Sequence, residues 1–150
     1  MDSIQLKLII KRLLKIRSLA FVGIFPKDKI PLSINHYPYC FIANTEISYS
    51  SGKHWVVFYY HSEYLLEFFD SLGHSPNFYN FPIESKVICT SLHSPIQSSN
   101  SNLCALFCLY YLYCKSKSKS FSCITSLFSS MNLQINDYHL RSFFKRLNLI

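Results

Sequence analysis

The chain has 150 residues, 49% of them hydrophobic and 17% aromatic, which is enough apolar side chain for one domain with a sizeable core and excludes a disordered chain. Fifteen Lys and Arg against eight Asp and Glu give a formal charge of +7 and an isoelectric point near 9.1, a balance that suits a polyanionic partner such as nucleic acid. Six cysteines (40, 89, 104, 108, 114 and 123) make no CxxC pair or Cys/His quartet of zinc spacing, and there is no secretory signal, so the reading is a reduced, intracellular protein without a metal.

Residues 4 to 19 carry apolar side chains at 6, 9, 10, 13 and 16 with Lys7, Lys11 and Lys15 four apart, which predicts an amphipathic helix with a basic stripe. A mitochondrial transit peptide has a similar pattern, but the downstream motifs make it the less attractive reading. Residues 20 to 37, with Gly23, Pro26 and Pro31, read mostly as loop. Tyr39 to Ala43 reads as a short strand, followed by a polar connection over 44 to 53.

Two runs, HWVVFYY (54 to 60) and YLLEFFD (64 to 70), predict a β-hairpin with apolar residues on both faces, hence a central sheet covered on both sides. A loop centred on Ser62 pairs residues whose numbers sum to 124, which sets His54 opposite Asp70. An imidazole and a carboxylate on directly opposed positions are within hydrogen-bonding reach.

Residues 71 to 85 are turn-rich, and Lys86 to Leu92 reads as another strand. In Ser98 to Cys114 a polar run ends abruptly at a cysteine that opens an apolar segment. Ser101 or Asn102 can cap a helix there, and Cys104 falls in its first turn, where free N–H groups and the helix dipole stabilise a thiolate. Taken alone, Cys104 reads as a small core residue, as Cys108 and Cys114 do. The apolar run from Leu103 to Cys114 has twelve residues, too few to span a bilayer. Gln97, seven residues before Cys104, can fold back over the helix start and donate to an oxyanion. Lys115 to Ser120 (KSKSKS) reads as an exposed basic loop, and 121 to 130 and 136 to 148 as two helices, the last bearing Arg141, Lys145 and Arg146.

A cysteine nucleophile, a histidine base, an acidic orienter and a glutamine-plus-backbone oxyanion hole are the parts of a thiol hydrolase. The chain order His54, Asp70, Gln97, Cys104 excludes simple papain, in which Cys precedes His. The segments Gly52-x-His54-Trp55 and Phe69-Asp70-Ser71-Leu72-Gly73, with Gln97 and Cys104 in a Q-x6-C spacing and the continuation CALFCLYYL, resemble the adenovirus-type cysteine proteases (adenain). Related enzymes occur in Maverick/Polinton transposons and, more distantly, among SUMO and ubiquitin-like proteases. The resemblance extends over most of the chain.

It implies an α+β, papain-like or adenain-like fold, a central, mostly antiparallel sheet packed against helices, with the active-site helix beginning near Cys104. It also implies His54 as general base, Asp70 as its orienting acid, Cys104 as nucleophile, Gln97 and the Cys104 N–H as oxyanion donors, and Trp55 beside the imidazole. Adenovirus enzymes usually carry Glu where this chain has Asp70, and Ala105 stands where the family has Gly after the nucleophile, its methyl near the leaving-group side.

The implied activity is an endopeptidase cutting capsid or core precursors at Gly-Gly-like sites. DNA and a short viral peptide are the implied activators, with Lys7, Lys11, Lys15, Arg141, Lys145 and Arg146 facing DNA and Cys40 or Cys89 pairing with the peptide. No small-molecule or metal cofactor and no membrane is implied; the protein is expected to be a monomer in the virion and host nucleus. The competing readings are a SUMO or ubiquitin-like deconjugase and a catalytically silent DNA-binding virion protein that keeps the fold.

Overall fold

The structure, a computed structural model, describes residues 1–13, 19–32, 34–50 and 52–150. Helix α1 spans Ser3–Leu13 and begins at Asp2, whose Oδ1 accepts from the N–H groups of Ile4 and Gln5 while the Gln5 side chain accepts from the Asp2 N–H. Leu6, Ile9 and Ile10 are its buried stripe, and Lys7, Lys11 and Arg12 stay exposed. The expected continuation of this helix to residue 19, with Lys15, falls largely outside the described residues.

Five strands follow: β1 (Phe21–Phe25), β2 (Tyr39–Asn44), β3 (Trp55–Ser62), β4 (Leu65–Phe69) and β5 (Ile88–Ser91), in that spatial order. The centre of the sheet, β2-β3-β4, is antiparallel, while β1 joins β2 and β5 joins β4 in parallel. The class is α+β, as the sequence implies, with a mixed sheet. Strand β1 corrects the expectation of loop over 20 to 37. The run Phe-Val-Gly-Ile-Phe is short and carries an irregular pairing between Phe21 and Gly23, and a glycine at such a break is what hides a strand from period-two reading.

The hairpin register also differs from the expected one. The turn is the two-residue Glu63-Tyr64 link, which pairs Ser62 with Leu65. That register alone would set residues 54 and 70 on opposite faces, because side chains alternate with period two. His61 is an extra, unpaired residue between Tyr60 and Ser62, and this bulge restores the parity: Tyr60 pairs with Leu66 and Val57 with Phe69. Continued one step, the register sets Asp70 opposite Val56 and diagonal to His54. Leu65, expected on a buried face, is displaced to the surface at 46% exposure.

Two cores flank the sheet. On one side Cys40, Ile42, Val57, Tyr59 and Phe69 meet helix α2 (Cys104–Ser116), α1 and helix α4 (Leu133–Arg146). On the other, Phe41, Val56, Phe58, Phe68 and Phe81 pack as stacked and edge-on rings beneath the loops around Ile30 and Ile83. Every residue of β2 is buried, as expected of a strand covered on both faces. Helix α2 is buried around most of its circumference and is the axis on which α1 and α4 pack.

Four further expectations are corrected. The N-cap of α2 is Leu103, with no side-chain cap; Ser101 Oγ accepts from the Leu103 N–H one step upstream, and Asn102 caps nothing. Lys115 does not open an exposed loop: α2 continues through Ser116, and Lys115 is buried because its ammonium lies 2.9 Å from Glu67 and 4.3 Å above the ring of Tyr59. The helix expected over 121 to 130 is the single turn α3 (Phe121–Thr125), capped by Ser120 Oγ on the Cys123 N–H. Helix α4 starts earlier than expected because the Asn132 side chain caps it by accepting from Ile135. No helix among the described residues is long and apolar enough to cross a membrane.

Candidate active site

His54, Asp70, Gln97 and Cys104 come from four separate elements and converge on one cleft. His54 sits one residue before β3, where its carbonyl accepts from the Thr45 N–H. Just upstream, a Cβ on Gly52 would come within 2.5 Å of the Asn44 amide, so the glycine allows the approach of the chain to β2.

Asp70 follows the last residue of β4 and is 0% exposed. Its Oδ1 accepts from His54 Nε2 at 2.5 Å and from the Leu72 N–H at 2.9 Å; its Oδ2 accepts from the His74 N–H at 3.0 Å and from the Tyr79 hydroxyl at 2.8 Å. A tight turn closed by the Gly73 N–H on the Asp70 carbonyl delivers the backbone donors. Gly73 has φ +79°, and a Cβ there would lie 2.4 Å from the carbonyl carbon of Ser94, so the turn and the chain entering Gln97 fit only with glycine between them.

Burial alone would raise the Asp70 carboxyl. Its hydrogen bonds, chiefly with His54 and then with Leu72 and Tyr79, hold it below the ordinary range, so it is a carboxylate. With Nε2 committed to Asp70, Nδ1 is the imidazole nitrogen left to face the thiol of Cys104, which lines the same cleft and lies near enough for each group to shift the other's ionisation. Burial pulls His54 down, but the bonds and charges of Asp70 and Cys104 outweigh it and raise the imidazole to about 9.

Cys104 is the first residue of α2. Burial opposes its ionisation, yet the His54 hydrogen bond and charge, with the N–H groups of Trp55 and Ala105, lower its pKa below the usual thiol value. Four other thiols move the opposite way through burial: Cys40 to about 12, Cys89 to about 11, and Cys108 and Cys114 upward. Both shifts run in the direction that favours a thiolate facing an imidazolium at Cys104 and His54.

Gln97 is 3% exposed and lines the same cleft of about 490 Å³ as His54, Trp55, Leu72, Cys104 and Ala105. As the first helical residue, Cys104 has a backbone N–H without an intrahelical acceptor, so two donors of different origin border the thiol. Ala105 is 1% exposed and belongs to the core while also bordering the cleft. Trp55 lines the cleft and gives its indole N–H to the Met1 carbonyl at 3.2 Å, whereas the ring paired with the imidazole is that of Tyr79, with centroids 6.0 Å apart. A second groove of about 560 Å³ adjoins the cleft through Met1, Gly52 and Trp55, and Lys7 lies on it.

Sequence reading missed Tyr79 and Ser71. Tyr79 ends the 3₁₀ turn Pro76–Tyr79 within the turn-rich segment 71 to 85, where the proline at the start of the turn is a local sign of order. Of the basic residues singled out, Lys7, Lys11, Arg141, Lys145 and Arg146 are exposed on α1 and α4, both of which pack on α2, and none belongs to the cleft beside the thiol. Cys40 is fully buried in the middle of the sheet; Cys89 is half-buried on the outermost strand.

No protein-family model matches the sequence, and no curated protein matches it. Among solved structures the chain is similar to the ASFV pS273R protease, at 22% sequence identity and a TM-score of 0.42. The match covers 63% of this chain and 40% of that one, so the chain spans less than half of that protein's length.

Proposed function

We propose that the protein is a cysteine endopeptidase. The observation that carries this reading is the hydrogen bond of Asp70 to His54 with Cys104 beside the imidazole at the start of a buried helix, where His54 lowers the thiol's pKa while burial raises those of Cys40, Cys89, Cys108 and Cys114. The Cys104 thiolate attacks the scissile carbonyl; the Gln97 amide and the Cys104 N–H hold the oxyanion; the His54 imidazolium gives its proton to the leaving amine. Water, activated by the now neutral His54, then releases the acyl group. Asp70 keeps the ring oriented and stabilises its positive charge.

The resemblance of the GKHW, FDSLG and Q-x6-C segments to adenovirus-type proteases supports capsid or core precursors cut at Gly-Gly-like sites as substrates. It also supports DNA, met by the exposed lysines and arginines of α1 and α4, and a short peptide as activators. For the peptide, half-buried Cys89 is accessible in a way that Cys40 is not. The more distant resemblance to SUMO and ubiquitin-like proteases supports a second substrate class, the Gly-Gly tail of a ubiquitin-like modifier. Purified protein under reducing conditions, given a capsid-type peptide and a SUMO precursor in parallel, separates the two. The endopeptidase reading expects cleavage of the first that disappears in Cys104→Ala. Absence of cleavage of both, together with no alkylation of Cys104, would overturn it.

A further inference from the structure

Asp70 and Ser71 are consecutive and serve different halves of the cleft. Asp70 holds the imidazole, while Ser71, 1% exposed, gives its hydroxyl to Gln97 Oε1 at 2.6 Å. The Ser71 carbonyl also accepts from the backbone N–H groups of Ile96 at 2.9 Å and Gln97 at 3.1 Å. Gln97 Nε2 gives one hydrogen to the Ser101 carbonyl at 2.7 Å, on the chain that leads into α2.

A primary amide has two N–H donors and one carbonyl acceptor. With the carbonyl taken by Ser71 and one N–H by Ser101, the amide plane is fixed and one N–H remains, on a residue that borders the cleft. Reversing the amide would set its NH2 against the Ser71 hydroxyl and its carbonyl oxygen against that of Ser101, two acceptors face to face, so the observed orientation is the one the surroundings support. We infer that Ser71 is a positioning residue for the oxyanion site, orienting the Gln97 amide so that its free N–H faces the developing charge. This rests on the cysteine-endopeptidase reading and adds a residue that touches neither substrate nor thiol.

The test is a double-mutant cycle of Ser71→Ala and Gln97→Ala, with Ser71→Thr as the hydroxyl-retaining control. Two readouts are taken: cleavage of a fluorogenic peptidyl-Gly-Gly coumarin amide, and affinity for the matching peptidyl-Gly-Gly aldehyde. In the aldehyde adduct the Cys104 sulfur bonds to the carbonyl carbon, the C=O π bond opens, and the oxygen, taking the proton displaced from the thiol–imidazole pair, occupies the oxyanion position. Ser71→Ala is expected to lower kcat and aldehyde affinity about tenfold, less than the hundredfold or so of a lost oxyanion donor, with KM nearly unchanged.

In the Gln97→Ala background the same change should have no further effect, and Ser71→Thr should restore most of the activity. The rate of Cys104 alkylation should be the same in Ser71→Ala as in wild type, because Ser71 does not contact the ion pair. Wild-type activity with an unaltered Ser71→Ala, or an equal loss in the Gln97→Ala background, would overturn the role of Ser71 alone. A wild type that neither cleaves nor binds the aldehyde would overturn the endopeptidase reading and this inference with it.

Discussion

Helix α2 meets a polar cluster at each terminus, and each cluster contains a histidine in contact with a buried carboxylate. At the start, His54 meets Asp70 at 2.5 Å beside Cys104; at the end, His61 meets Glu67 at 2.7 Å beside Lys115 and Tyr111. The difference lies in the third member and in what is left over. Glu67 accepts from His61, from the Tyr111 hydroxyl and from the Lys115 ammonium; these bonds outweigh burial and keep it ionised, with its charge met by a cation fixed over Tyr59. Asp70 is equally well bonded, but its histidine passes the interaction to a thiol at a cleft where donors remain uncommitted. A His–carboxylate contact is thus no mark of chemistry by itself. An ionisable nucleophile with free donors around it is.

The comparison can be broken at either end. The largest effect belongs to Cys104→Ala, which should abolish cleavage, a fall of about 10⁵-fold or to background, while leaving the urea midpoint nearly unchanged. Glu67→Ala should do the reverse. It strands the Lys115 ammonium at 8% exposure, and removing one member of a buried pair costs about 3–5 kcal/mol, read as a lower urea midpoint with cleavage per folded molecule retained. A Glu67→Ala protein as stable as wild type would show that the two ends are not divided as described. Smaller still is Tyr79→Phe, which removes one of four hydrogen bonds to Asp70. Losing a hydrogen bond to a charged group is expected to lower kcat by roughly tenfold, with Cys104 alkylation slowed in parallel.

The pieces of the site could be read from the chain because each has a local signature: apolar runs around His54 and Asp70, a polar-to-apolar boundary before Cys104, a glutamine at fixed spacing. The way they meet could not. His54 reaches Asp70 through a two-residue turn and a bulge at His61 that together shift the register by an even step, and no periodicity in the hairpin encodes the bulge. Tyr79 and Ser71 reach the site through turns of the segment after β4, where contacts depend on the long-range fit of Gly73 against Ser94. Lys115 was read as exposed because its neighbours alternate Lys and Ser; the buried Glu67 opposite it lies 48 residues away in sequence. Strand β1 was hidden by its irregular pairing at Gly23.

The central claim is the ion pair of Cys104 and His54, and the pH dependence of iodoacetamide labelling, mapped residue by residue by mass spectrometry in wild type and His54→Ala, tests it most directly. His54 is raised to about 9 and Cys104 is lowered below the ordinary thiol value, chiefly by His54 acting against burial. Labelling of Cys104 in wild type should therefore already be fast at neutral pH. It should fall only at acid pH, as the thiolate takes up a proton, and change again as the imidazolium loses its proton near pH 9. In His54→Ala the acid-side fall should move to higher pH, since burial then acts without its counterweight. Cys104 labelling that rises along one ionisation near pH 9 in both proteins would contradict the account.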